Sequence, residues 1–196
     1  MLITLLKDTY NSSDNQGNYY KFASPNRNAL SIQGDFILTG DSLNSIQISR
    51  DGGYNYEPMV CNVPYSGSFL LKTTLEGLKG YQIDGNYEVS GSYSDFPVVF
   101  SGSVNPADLI LDNKELNSTF EDSKVFVTPQ LLNQNYIFNR TFYGCYQLET
   151  LDMSNLNEDS LKQSKFNNFC PVTTTVVFND YVDKELVQYI LSQRHK

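Results

Sequence analysis

Residues 142–157 read FYGCYQLETLDMSNLN, and leucine-type side chains fall at 148, 151, 153 and 156. An amphipathic helix repeats its apolar positions at intervals of three and four, and a half-buried strand repeats them at two. This stretch does neither. Its spacing suits a short strand flanked by apolar corners, one rung of a stacked coil. A single rung cannot bury its own apolar face, so neighbouring copies are required.

Copies are present on both sides. Stepping 22 residues back places Phe120 on Phe142, Phe126 on Leu148, Pro129 on Leu151 and Leu131 on Met153. Stepping 24 residues forward places Phe166 on Phe142, Val172 on Leu148, Thr175 on Leu151 and Val177 on Met153. Cys170 lies one place off the register of Cys145. Three rungs are therefore expected, with 148–153 flanked by Val125–Leu131 and Val172–Phe178. Their core is read as Phe142, Cys145, Leu148, Leu151, Met153 and Leu156. The closing VVFNDYVDKELVQYILSQRHK starts with a strand and continues into a helix over 180–192. Asp180 can cap that helix, and Val182, Leu186, Tyr189 and Ile190 form one apolar stripe. Such a helix would cover the open end of the stack.

Upstream of about residue 105 the texture differs. SIQIS (45–49), RDGG (50–53) and the alternating Tyr54 and Tyr56 read as a hairpin, because Asp-Gly between alternating runs is a strong turn signal. Asp84-Gly85-Asn86 between GYQI and YEVSG reads the same way. Further strands are expected at 29–32, 35–39, 68–74 and 96–104. The fold class is thus mainly β. An N-terminal antiparallel β-sandwich (1–105) precedes a short repeat lobe (106–196) with a C-terminal capping helix. Segment 9–28 is polar and turn-rich and reads as an arm. Its Tyr19, Tyr20 and Phe22 are candidate partner anchors, since aromatic residues serve that role at interfaces.

The chain has 196 residues, a net charge of −8, 40 % hydrophobic and 18 % charged residues, no Trp, 14 Tyr and 12 Phe. The aromatic-rich, weakly charged mixture favours sheet. With no basic run, nucleic acid and anionic membrane surfaces are poor electrostatic partners. No segment reads as a secretory signal or a membrane span. Cys61, Cys145 and Cys170 have no zinc spacing and are expected as reduced, buried thiols.

Catalytic and cofactor signatures are not evident. The single histidine, His195, lies at the terminus and is expected to be solvated. The Asp-Gly pairs do not continue into a calcium loop. No phosphate-binding or dinucleotide motif occurs. Asp35, Asp41, Asp51, Glu57, Asp84, Glu88 and Asp95 are conceivable acids for glycoside cleavage, but no pair stands out. The sequence reading assigns no catalytic residue, metal or cofactor.

FYGCYQLETLDMSNLN resembles the BspA-type leucine-rich repeat, in a short degenerate array at 118–196. The matching positions are Phe142, Gly144, Cys145, Leu148, Leu151, Asp152, Met153, Ser154, Asn155 and Leu156. Members of that family are mostly surface-exposed adhesion proteins of bacteria, with related repeats in bacteriophage structural proteins. The resemblance implies a non-enzymatic structural and interaction protein. Folding in a host cytoplasm without a signal points to a virion component, either capsid decoration, head fibre or tail protein. Its partners would be other virion proteins or a second copy of itself. The alternative is a bacterial surface module that binds carbohydrate or protein.

Overall fold

The computed structural model describes residues 29–40, 46–73, 81–93 and 98–196. Tyr19, Tyr20 and Phe22, with the rest of the 9–28 arm, lie outside the described residues. The chain is mainly β. Strands β1 (Ala29–Thr39), β2 (Ile46–Ser49), β3 (Glu57–Pro58), β4 (Pro64–Thr73), β5 (Tyr81–Ser92), β6 (Val98–Leu111) and β7 (Gln130–Leu131) form one sheet in the order β3-β2-β4-β1-β5-β6-β7. Pairing is antiparallel from β3 through β5, as the sequence suggests, and parallel from β5 to β6 and β7.

The hairpin at Arg50–Tyr56 joins β2 to β3 as expected. Asp84-Gly85-Asn86 makes no hairpin: β5 runs straight through it. Likewise 29–32 and 35–39 are one strand through Gly34. These glycines mark a crease. The inward-facing side chains of β1 are Leu30, Ile32, Phe36 and Leu38, with Gly34 at the middle inward position. The same place is held by Gly67 between Tyr65 and Phe69, by Gly85 between Ile83 and Tyr87, and by Gly102 between Phe100 and Val104. Gly34 pairs with Gly67, and Gly85 with Gly102.

Four residues of extended strand span roughly 13 Å. Tyr65 and Phe69 are four apart, yet their ring centroids are 5.8 Å apart. Tyr87 folds back so that its hydroxyl donates to the Ile83 carbonyl at 3.0 Å. Each of these strands therefore bends at its glycine, and the glycines form two pairs offset by two residues, with Gly34 facing Tyr87 and Gly85 facing Phe36 across β1 and β5. Strands β1 to β7 thus belong to one mixed, creased sheet. A Cβ on Gly34 would lie 2.4 Å from the Asn86 carbonyl oxygen, so the bend leaves no room for a side chain there.

The boundary expected at 105/106 falls inside β6, which continues into the coil stack. The Phe100 amide donates to the Thr119 carbonyl, Phe120 to Thr141, and Phe142 to Phe169, each at 2.8 Å. The rings of Phe100 and Phe120 stack at 5.3 Å, and those of Phe120 and Phe142 at 5.3 Å with 6° between planes. This aromatic column joins sheet and stack into one buried cluster. Two ribbons of parallel strands flank it. One pairs β8 (Ile137–Asn139) with β10 (Lys165–Asn167), and the other pairs β9 (Thr150–Asp152) with β11 (Thr175–Val177).

The rung register is close to the sequence reading, with three local slips. Phe126 is 52 % exposed and its neighbour Val125 is buried in its stead. In the last turn Val176, not Thr175, pairs with Leu151, and Val177 faces outward. Phe166 stacks on Phe138 rather than following Phe142, and Cys170 takes the place below Phe142. The cause of the last two slips is a helix that the periodicity did not reveal, α1 (Glu158–Gln163), which lengthens the last turn. Asn157 caps it by accepting from the Ser160 amide.

The C-terminal helix α2 runs Lys184–Ser192, shorter than the 180–192 expected, and Asp183 rather than Asp180 caps it. The Asp183 carboxylate accepts from the amides of Glu185 and Leu186 at 2.9 and 3.1 Å. Val182 and Ile190 are buried, with Leu186 and Val187 packed beside them. Tyr189 points outward, so Val187 replaces it in the stripe.

Candidate functional site

The residues assigned to the repeat core lie together in the interior. Phe142, Cys145, Leu148, Leu151, Met153 and Leu156 are all at most 1 % exposed. Buried threonines serve the same turns. Thr141 donates its hydroxyl to the Leu116 carbonyl at 2.7 Å, and Thr174 to the Leu148 carbonyl at 2.8 Å. Each gives a buried carbonyl a partner that lies on another turn. Gly144 holds a left-handed φ of 72°, which favours glycine, and a Cβ there would also displace the Asp122 carboxylate, 1.9 Å away at Oδ1. Leu151→Ala is expected to cost about 2–5 kcal/mol, the range for emptying a buried leucine site. Chemical denaturation measures this, and an unmoved midpoint would show that Leu151 does not carry the rung.

Cys145 and Cys170 are buried free thiols, and Cys61 is half-buried. Burial pushes the Cys145 thiol up to about 11 and that of Cys170 up to about 12. Both are therefore neutral near pH 7, and neither is an activated nucleophile.

An open groove of about 470 Å3 lies where the sheet meets the stack. Gln82, Asp84, Ser101, Ser118, Glu121 and Asp122 line it. Ser118 and Asp122 adopt left-handed backbone, and Arg140 and Gly144 repeat those conformations on the next turn. Gln82 donates to the Ser101 hydroxyl at 2.7 Å. The Arg140 guanidinium donates to Glu121 through Nε at 3.0 Å and lies over the Tyr143 ring at 3.7 Å. Its hydrogen bond holds the Glu121 carboxyl below the usual range. Glu121 is thus an ionised acceptor at neutral pH rather than a proton donor. Sequence reasoning named Asp84 and missed Glu121, Asp122, Ser101 and Ser118. Only the coil register, which places 118–122 beside 101–102, brings them together.

The hairpin after β2 is a second organised polar site. Asp51 accepts from the Asn55 amide at 2.9 Å and from the Asn55 side chain at 2.6 Å, and Ser49 donates to it at 2.8 Å. The Gly53 amide donates to Ser49 Oγ at 2.9 Å. These bonds, led by that from the Asn55 backbone, lower the Asp51 pKa from 3.8 to about 2. A carboxylate with a depressed folded pKa stabilises above its unfolded pKa and loses that contribution as pH falls toward the folded one. Protection of the Asn55 amide from exchange should therefore persist at pH 5–7 and decay between about 4 and 2. Asp51→Asn should remove this dependence; matching acid profiles for parent and variant would exclude Asp51 as the cause. Beside the loop, Arg50 lies 5.0 Å from the Phe69 ring centroid and Lys72 lies 3.8 Å from that of Tyr56. Tyr54 is 77 % exposed.

Of the acids considered for glycoside cleavage, Asp41 and Asp95 lie outside the described residues. Asp51 and Glu57 sit on the hairpin, while Asp84 lines the groove. His195, expected to be solvated, is half-buried with its ring 4.0 Å from that of Tyr143. Among the described residues, no group of three or more His, Cys, Asp or Glu is placed to hold a metal ion. No helix among them is long and apolar enough to cross a membrane.

No protein family, curated protein or solved structure matches this chain.

Proposed function

We propose that this chain is a non-enzymatic structural and interaction protein, a component of a bacteriophage particle acting as capsid decoration, head fibre or tail protein. The observation that supports the reading is the use made of the FYGC turn. Phe142, Cys145, Leu148, Leu151 and Met153, positions at which the chain resembles the BspA-type repeats, are buried in the interior of a stack, and Gly144 turns the chain between them. Partner contact then falls to the surface. Tyr54, Tyr146 and Tyr181 are 77, 69 and 91 % exposed, and such side chains anchor interfaces at low entropic cost. Immunogold labelling of purified particles tests the assignment. Labelled particles are the expected result, and particles devoid of the chain would overturn it. Glycan binding together with detection on intact bacterial cells would instead favour the surface-module reading.

A further inference from the structure

The outer edge of the last turn is closed by the C-terminal tail. Within the stack, backbone amides of one turn bond carbonyls of the next. At Cys170–Thr174 the tail supplies those bonds. The His195 amide donates to the Cys170 carbonyl at 2.8 Å, and the Val172 amide donates to the His195 carbonyl at 2.9 Å. The two bonds straddle Pro171, which pairs with His195 as an isolated parallel bridge. Arg194 Nη1 donates to the Val172 and Thr174 carbonyls, both at 3.1 Å, and its Nε to the Leu191 carbonyl at 3.0 Å. The His195 ring rests on Tyr143.

The edge under this tail is self-complementary. An antiparallel ladder contains residue pairs that are flanked by hydrogen bonds rather than joined by them. If Pro171 of one copy faces Pro171 of another across a two-fold axis, each Val172 amide can donate to the other copy's Cys170 carbonyl. Proline suits the central place because that place needs no N–H. Both polar groups are those the tail now occupies, and Val172, 46 % exposed, adds apolar contact beside the axis. Such a contact uses the same patch on both copies and closes on itself.

We propose that residues 194–196 form a strap that keeps the last turn from pairing with the same edge of a second copy, and that releasing the strap produces a dimer centred on Pro171. This goes beyond the proposed structural role and does not depend on it. The test is sedimentation of the full chain and of a chain ending at Gln193, each over a range of concentrations, with circular dichroism to establish folding. The truncated chain should gain mass with concentration relative to the full chain. Val172→Pro in the truncated chain, which removes the donor, should abolish that gain. A folded truncated chain that sediments like the full chain overturns the proposal, as does association that persists in the proline variant. Should truncation unfold the chain, Arg194→Ala in the full chain replaces it. That variant frees the strap while keeping the backbone, so partial association is expected and an unchanged mass counts against the strap.

Discussion

Phe120→Ala is expected to lower stability by about 3–5 kcal/mol, the range for truncating a fully buried phenylalanine. Its ring is buried between Phe100 and Phe142, 5.3 Å from each. Removal therefore breaks two stacked pairs at once, and such pairs contribute about 0.5–1.5 kcal/mol each beyond area burial. The neighbours belong to different parts of the molecule: Phe100 lies in β6 and Phe142 in the second turn of the stack. The cavity would sit where creased sheet and coil stack join. Phe126→Ala provides the comparison, because Phe126 is half-exposed and outside the column. Denaturant unfolding should separate the two variants widely. Equal losses would mean that the column carries no special share of stability. A double-mutant cycle with Phe142→Ala should also show coupling, since the side chains touch.

Gly85→Ala is expected to be more damaging, at about 4 kcal/mol or above, a size that single substitutions seldom reach. The added Cβ would lie 2.2 Å from the Asp35 carbonyl oxygen and 2.7 Å from the Phe36 Cα. Both are backbone atoms of the paired strand, so no side chain can rotate away. The Gly85 φ of 154° adds strain for an L-residue. Gly52→Ala separates crowding from conformation. That residue also has positive φ, at 73°, yet nothing lies within 4 Å of its Cβ position. It should cost only the left-handed penalty, about 1–2 kcal/mol. If Gly85→Ala melts close to Gly52→Ala, the close approach at the crease has been overestimated.

The glycines explain both what sequence reading captured and what it lost. Alternation located the strands near 29–39, 45–49, 68–74 and 96–104, because period-two burial depends only on which face meets the core. In the sequence Gly34 and Gly85 read as breaks, since glycine between alternating runs ordinarily marks a turn. A bend inside a strand and a turn between strands impose the same local demand, a backbone without Cβ. The distinguishing signal was the phase: in Ile83-Asp-Gly85-Asn-Tyr87 the apolar alternation keeps its parity across the glycine. Phe36 and Phe69, Tyr65 and Val104 preserve it in the other three strands.

In the stack, Phe120, Phe142, Leu148, Leu151 and Met153 were legible because their side chains repeat. Cys170 and Val176 were misplaced because α1 inserts residues without a period of its own strong enough to read. The groove was not legible as a site. Its Asp84, Ser101 and Glu121 come from three separate segments, and each is an ordinary polar residue in its own context.

The continuity of β6 has a consequence for how the chain reaches this state. Coil stacks alone can fold from any turn and propagate, since each turn touches only its neighbours. Here the first turn rests on Phe100, whose strand is held by β5, and β5 is held in turn by β1, where Leu30 pairs with the far-off Gly91. Closing those distant strands costs loop entropy before contacts repay it. The sheet should therefore be the slow step and the seed, with turns added in order toward the C-terminus and Cys170 protected last. Pulse labelling of Cys145 and Cys170 during refolding would follow that order directly, Cys145 becoming inaccessible before Cys170.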